Sequence, residues 1–164
     1  MSYDRAMHRT LGTLLRDLTD RLDAAVQAAY REEGLDFRPR YTPVVRHLLA
    51  HGPSTLRAIA ETAGTSHSAV SQTISEMLRR GLVEMRMGRD ARERVVSLSS
   101  IGSAMLPQLQ HCWERTEAAA RSLDREVGAD LAQVLAAAIE ALDREPFVTR
   151  LQAAELALKR DERS

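Results

Sequence analysis

Residues 66 to 81 read Ser66-His67-Ser68-Ala69-Val70-Ser71-Gln72-Thr73-Ile74-Ser75-Glu76-Met77-Leu78-Arg79-Arg80-Gly81. Val70, Ile74, Met77 and Leu78 fall at i, i+4, i+7 and i+8, one apolar stripe of a helix that Thr65 or Ser66 opens and Gly81 ends. The opposite face carries Ser66, His67, Ser68, Ser71, Gln72 and Ser75, short or flexible hydrogen-bonding groups with little charge. A helix facing only solvent more often uses Glu and Lys. Small hydroxyls let a helix approach a major groove closely, and Gln72 is the side chain there able to pair bidentately with adenine. Taken alone, this face also fits ordinary surface filler.

Upstream, Ser54 caps a short helix with Leu56, Ile59, Ala60 and Ala63 on one side, and Gly64 ends it. Joined through Ala63-Gly64-Thr65, it braces the following helix in a helix-turn-helix. Before it, Thr42-Pro43 supplies an N-cap and a proline at the first helical position for a helix built on Val44, Val45, Leu48 and Leu49. From about Asp4 to Arg31, apolar residues from Met7 through Leu11, Leu18 and Val26 to Ala29 recur at helical intervals, predicting a long amphipathic helix. Downstream the period changes. Leu82-Val83-Glu84-Met85-Arg86 and Arg94-Val95-Val96-Ser97-Leu98 flank the charged stretch 88–93, predicting a β-hairpin and the chain's only β structure. Helical patterning resumes over about Ile101–Arg125, Ala129–Arg144 and Phe147–Arg160. A helix-turn-helix followed by a basic hairpin is a winged helix, so the predicted fold is mainly α with a small β-hairpin wing. In this order and spacing, the serine-lined helix and the hairpin arginines together favour DNA contact over plain solvation.

Composition sets the frame. The chain has 164 residues, 44 % apolar, with 23 basic and 23 acidic side chains. It is expected to form one compact domain, because a chain of this size buries about 70 % of its unfolded surface without disulfide or metal staples. A single cysteine, Cys112, excludes a disulfide within the chain and a structural zinc site of two or more thiolates. Reduced cytoplasm is the expected location, since no stretch is apolar enough for a membrane and the opening residues lack a signal-peptide order. Of the basic residues, 22 are arginine, so basic contacts have the planar, bidentate-capable geometry. The zero net charge hides a local excess: residues 79–94 hold Arg79, Arg80, Arg86, Arg89, Arg92 and Arg94 against Glu84, Asp90 and Glu93. That is a directed surface on a neutral chain.

The run 52–60, Ser68-Ala69-Val70-Ser71, Arg80-Gly81-Leu82-Val83-Glu84, then Asp90-Ala91-Arg92 followed by Val95-Val96-Ser97-Leu98-Ser99 and Gly102, resembles the MarR-type transcriptional regulators over about residues 4–144. The Asp-x-Arg wing leading into a Val-x-Leu-Ser strand and a glycine is the most specific part. The resemblance implies that Arg92 reaches a minor groove with Asp90 orienting it, and that Ser68, Ser71, Gln72 and Ser75 face the major groove. With their neighbours, the predicted DNA contacts are Ser66, His67, Ser68, Ser71, Gln72, Ser75, Arg79, Arg89, Asp90, Arg92 and Arg94. It also implies a homodimer on a pseudo-palindrome, with residues 1–40 and 101–164 as helical dimerisation regions around a winged helix-turn-helix at 41–100. The wide apolar faces of 4–31 and 129–142 support that independently. Met87-Gly88-Arg89 is shorter than the family's usual wing loop, and 146–164 runs past the family's common end.

The same resemblance implies a repressor that responds to small phenolic or anionic effectors. Tyr30, Phe37, Tyr41, Arg46, His47 and Trp113 are the candidates to line such a pocket, although with six aromatic residues in the chain each aromatic one also fits ordinary core. His47 and His51 stand four apart, a spacing able to place two imidazoles on one metal, and His111-Cys112 on another helix is the pair that could complete such a site. Without a His-Glu-x-x-His or Cys-x-x-Cys motif, no metal or cofactor is expected, and the histidines are read as hydrogen-bonded or solvated. Cys112, beside Trp113 in mid-helix, reads as a small buried hydrophobe rather than a redox switch. No nucleophile elbow, phosphate loop or dinucleotide fingerprint occurs, so an enzyme is not expected. Two alternatives stay open: a winged-helix module that binds protein instead of DNA, and a metal-sensing regulator.

Overall fold

The computed structural model describes residues 9–88 and 93–161. Element order is α1 (Leu11–Glu32), a 3-10 turn (Pro39–Tyr41), α2 (Thr42–His51), β1 (Ser54–Thr55), α3 (Leu56–Ala63), α4 (His67–Arg79), β2 (Val83–Met87), β3 (Arg94–Leu98), α5 (Ser100–Ala104), α6 (Leu106–Val127), α7 (Leu131–Arg144) and α8 (Phe147–Asp161). The chain gathers into two units, one ending at Arg115 and one beginning at Thr116.

In the first unit a single core joins the end of α1 and its linker (Tyr30, Leu35, Phe37, Tyr41) to α2 (Val44, Val45, Leu48), α3 (Ile59, Ala60), α4 (Val70, Ile74, Met77), the sheet (Leu82, Val83, Val96) and α6 (Leu109, Cys112, Trp113). Cys112 is wholly buried, as expected, with its thiol 3.9 Å from the Ala29 carbonyl oxygen. Burial runs as a gradient along α1, from Tyr30, with no exposed surface, to Leu11, 72 % exposed.

The sheet has three strands, in the order β1-β3-β2, all antiparallel. The expectation that the hairpin is the only β structure is therefore corrected: Ser54 and Thr55 pair with Val96 and Val95. Two caps shift by one residue. Thr55, not Ser54, caps α3 by accepting from the Ala58 N–H, while the Ser54 hydroxyl donates to the Gly52 carbonyl. Thr42 is the first residue of α2 rather than its cap, and its hydroxyl lies 3.0 Å from that of Tyr30. The helix predicted from Ile101 to Arg125 is divided at Met105 into α5 and α6.

The second unit holds the end of α6, α7 and α8. Gly128, at φ +76°, ends α6, with its N–H and that of Ala129 both bonded to the Asp124 carbonyl. Asp130 caps α7 through the Gln133 N–H, and Arg150 of α8 donates to the Glu145 and Ala141 carbonyls. No side chain of α7 is buried. No helix among the described residues is long and apolar enough to cross a membrane.

Candidate nucleic-acid interface

The geometry of α4 follows from its ends and its stripe. Ser66 caps it by accepting from the Ala69 N–H at 3.2 Å. Gly81, at φ +68°, closes it as the left-handed residue that lets the Leu82 N–H reach the Met77 carbonyl at 2.9 Å. Val70, Ile74 and Met77 are buried to 2 % exposure or less, which anchors one face in the core. The other face presents His67, Ser68, Gln72 and Ser75 to solvent, with Ser71 half-buried and Arg79 exposed at the end. Two of the predicted probes already hold local bonds: Ser66 in the cap, and Ser75, whose hydroxyl donates to the Ser71 carbonyl at 2.7 Å.

The wing stem is β2 and β3, paired from Val83↔Leu98 to Met87↔Arg94, so Arg94 stands exposed at its outer end. The Gly88 N–H donates to the Glu93 carbonyl at 2.8 Å across the mouth of the loop. Arg89, Asp90 and Arg92 lie outside the described residues.

At the root of the hairpin, Ser99 donates its hydroxyl to the Gly81 carbonyl at 2.5 Å and accepts from the Gly102 N–H at 3.0 Å, while its own N–H donates to the Leu82 carbonyl. The turn that ends α4 is thereby tied to the strand that leaves the wing. The Ser and Gly of the quoted motif hold helix and wing in register.

Sequence reasoning missed a charged cluster at the end of α4. Glu76, 9 % exposed, meets Arg38 at 3.1 Å, Arg40, and Arg80 at 3.5 Å, and Arg80 also pairs with Asp36. The guanidinium carbons of Arg40 and Arg80 stand 5.8 and 6.0 Å from the Tyr41 ring centroid. Beside it, a groove of about 510 Å³ runs along α4, lined by Arg40, Val44, Gln72, Thr73, Glu76 and Arg79 among others. Arg38 and Arg40 around Pro39 were the one available signal, and nothing local tied them to Glu76, far along the sequence in α4.

Of the six candidate effector contacts, Tyr30, Phe37 and Tyr41 are closed in the core as a T-shaped stack, with centroid spacings of 5.1 and 5.3 Å. Trp113 donates its indole N–H to the Tyr30 hydroxyl at 3.0 Å, and the Arg46 guanidinium lies over the Trp113 ring at 4.9 Å. Arg46 and His47 line a surface cavity of about 490 Å³ with Thr42, Pro43, His51 and Thr62. His51 is exposed. His47 departs from expectation: it is 5 % exposed, and neither ring nitrogen has a hydrogen-bond partner among the described residues. Burial, with His51 beside it, pushes its pKa below the usual histidine range. Among the described residues no group of three His, Cys, Asp or Glu side chains is placed to hold a metal.

A winged helix-turn-helix, with an anchored helix offering a polar face and a hairpin beside it, is the class this geometry defines. Residues 34–93 match the model of the MarR family. No curated protein matches the chain in sequence. Among solved structures, the Mycobacterium tuberculosis transcriptional regulator MOSR in complex with DNA is similar at a TM-score of 0.63 and 22 % identity, covering 91 % of this chain and 98 % of that one. The PcaV regulator of Streptomyces coelicolor with its natural ligand gives 0.62 and 21 %, covering 88 % and 98 %. A MarR family regulator from Neisseria meningitidis gives 0.55 and 22 %, covering 88 % and 94 %. The family match is confined to that segment, and the chain as a whole has the fold of these structures.

Proposed function

We propose that this chain is a sequence-specific transcriptional regulator of double-stranded DNA, acting as a homodimer on a pseudo-palindromic operator as an effector-responsive repressor. The observation that carries the reading is the two-faced α4: three side chains sunk in the core on one side, and on the other Ser68 and Gln72 exposed within a MarR-type segment. In this reading Gln72 and its serine neighbours contact base edges while Arg79, Arg94 and the loop arginines Arg89 and Arg92, with Asp90 orienting the last, hold phosphates or a minor groove. The exposed apolar side chains of α1, α7 and α8, among them Leu11, Ile139 and Leu151, support a second copy as their cover. No catalytic role is proposed.

Selection of bound fragments from random duplexes with the purified full chain tests this directly. A palindromic consensus with half-sites about one helical turn apart is the expected outcome, with affinity falling steeply as salt rises. Absence of any enriched sequence, or salt-independent binding, overturns the reading in favour of a protein-binding winged helix.

A further inference from the structure

An imidazole that is buried with both nitrogens unbonded is costly, on the order of 1–3 kcal/mol per unmet polar group. His47 is in that position, on the wall of a cavity it shares with His51, Thr42 and Thr62. The two histidines sit one helical turn apart on α2, so their rings rise on the same face. Two imidazoles each bound through one nitrogen to a single zinc at about 2.0–2.1 Å hold their ring centres about 5 Å apart. The His47 and His51 centroids are 4.7 Å apart, with the planes tilted by 42°. The centroid spacing matches that separation with the helix as it stands. Arg46, which also lines the cavity, has its guanidinium over Trp113.

We propose that His47 and His51 form a binding site for a borderline divalent cation of the zinc type, the class that imidazole nitrogens suit best. With no three-residue donor cluster among the described residues, water fills the remaining positions, so the site is exchangeable rather than structural. Thr62 and Ala63 of α3 line the same cavity, so an occupied site lies against the brace of the helix-turn-helix.

The test is titration of Zn²⁺ alone into the metal-free full chain, read by competition with a chromophoric chelator. One ion per chain is expected, with affinity reduced at least about tenfold in His51→Ala and unchanged in His111→Ala. His51 is exposed, so His51→Ala keeps its fold, checked by an unchanged unfolding midpoint in chelator. Ring-nitrogen NMR shifts of His47 move on Zn²⁺ addition if the site is right. Failure to compete with the chelator, binding indifferent to His51→Ala, or an equal loss in His111→Ala overturns the proposal. None of these readouts depends on DNA, so they stand apart from the fate of the DNA-binding reading.

Discussion

At Gly102 a methyl group would lie 2.1 Å from the Leu82 carbonyl oxygen, a backbone atom with no slack. Gly102→Ala should therefore destabilise the chain by about 1–3 kcal/mol, read as a lower denaturant midpoint, whereas Ser103→Ala on the exposed side should not. Gln72 and Arg92 are separable by sequence dependence. Gln72→Ala should cost about 1–3 kcal/mol on operators carrying the base pair it reads and little elsewhere, and Arg92→Ala should weaken all duplexes and flatten the salt slope by about one. An equal loss on every sequence for Gln72→Ala would remove its assigned role. At Cys112, burial raises the thiol pKa, with Glu33 adding to the shift. The thiolate forms only at higher pH than for an ordinary cysteine, so iodoacetamide at pH 8 should label the native chain far more slowly than the unfolded one. Labelling at the unfolded rate would mean the thiol is not enclosed.

Among the elements, α4 owes its placement to more than its own stripe. Glu76 draws Arg38 and Arg40 from the linker before α2 onto the far end of the helix. Glu76→Gln should loosen that tether, lowering stability by about 1–2 kcal/mol, since the carboxylate is mostly enclosed but its partners are half-solvated. An unchanged unfolding midpoint would show the pairs to be incidental. Helices α3 and α4 are legible in the sequence because their signals are local: a stripe, a cap, and Gly64 and Gly81 at their ends. Strand β1 is not, because two residues have no period and become a strand only through Val95 and Val96, some forty positions away. The displaced cap at Thr42 has the same origin, a tertiary bond to Tyr30. Glu76 reads as a solvated charge on the polar side of a helix until two distant guanidiniums, of Arg38 and Arg40, join its neighbour Arg80 around it. Of the candidate interface, the polar face of α4 and the foot of the wing could be read in advance, and the buried, unpaired His47 could not.

Across the whole molecule, large exposed apolar side chains concentrate on α1, α7 and α8. Ile139 is 60 % exposed on α7, and Val134 and Leu142 lie with it on the same helix. Ile139→Asp should raise the dimer dissociation constant at least about tenfold by sedimentation and weaken binding to a two-half-site operator more than to a single half-site. A wild-type chain that stays monomeric at micromolar concentration would rule out the second copy as the cover. That α7 buries no side chain carries a consequence for dilution. A fourteen-residue helix in which only Leu131 and Ala141 are even partly covered is marginal in water. Circular dichroism at 222 nm should then fade as the protein is thinned toward nanomolar levels, so that acquiring this helix and finding a mate become one event. Occupancy of an operator by such a regulator would climb with the square of its abundance, a threshold built from nothing but unsheltered alanines, valines and leucines.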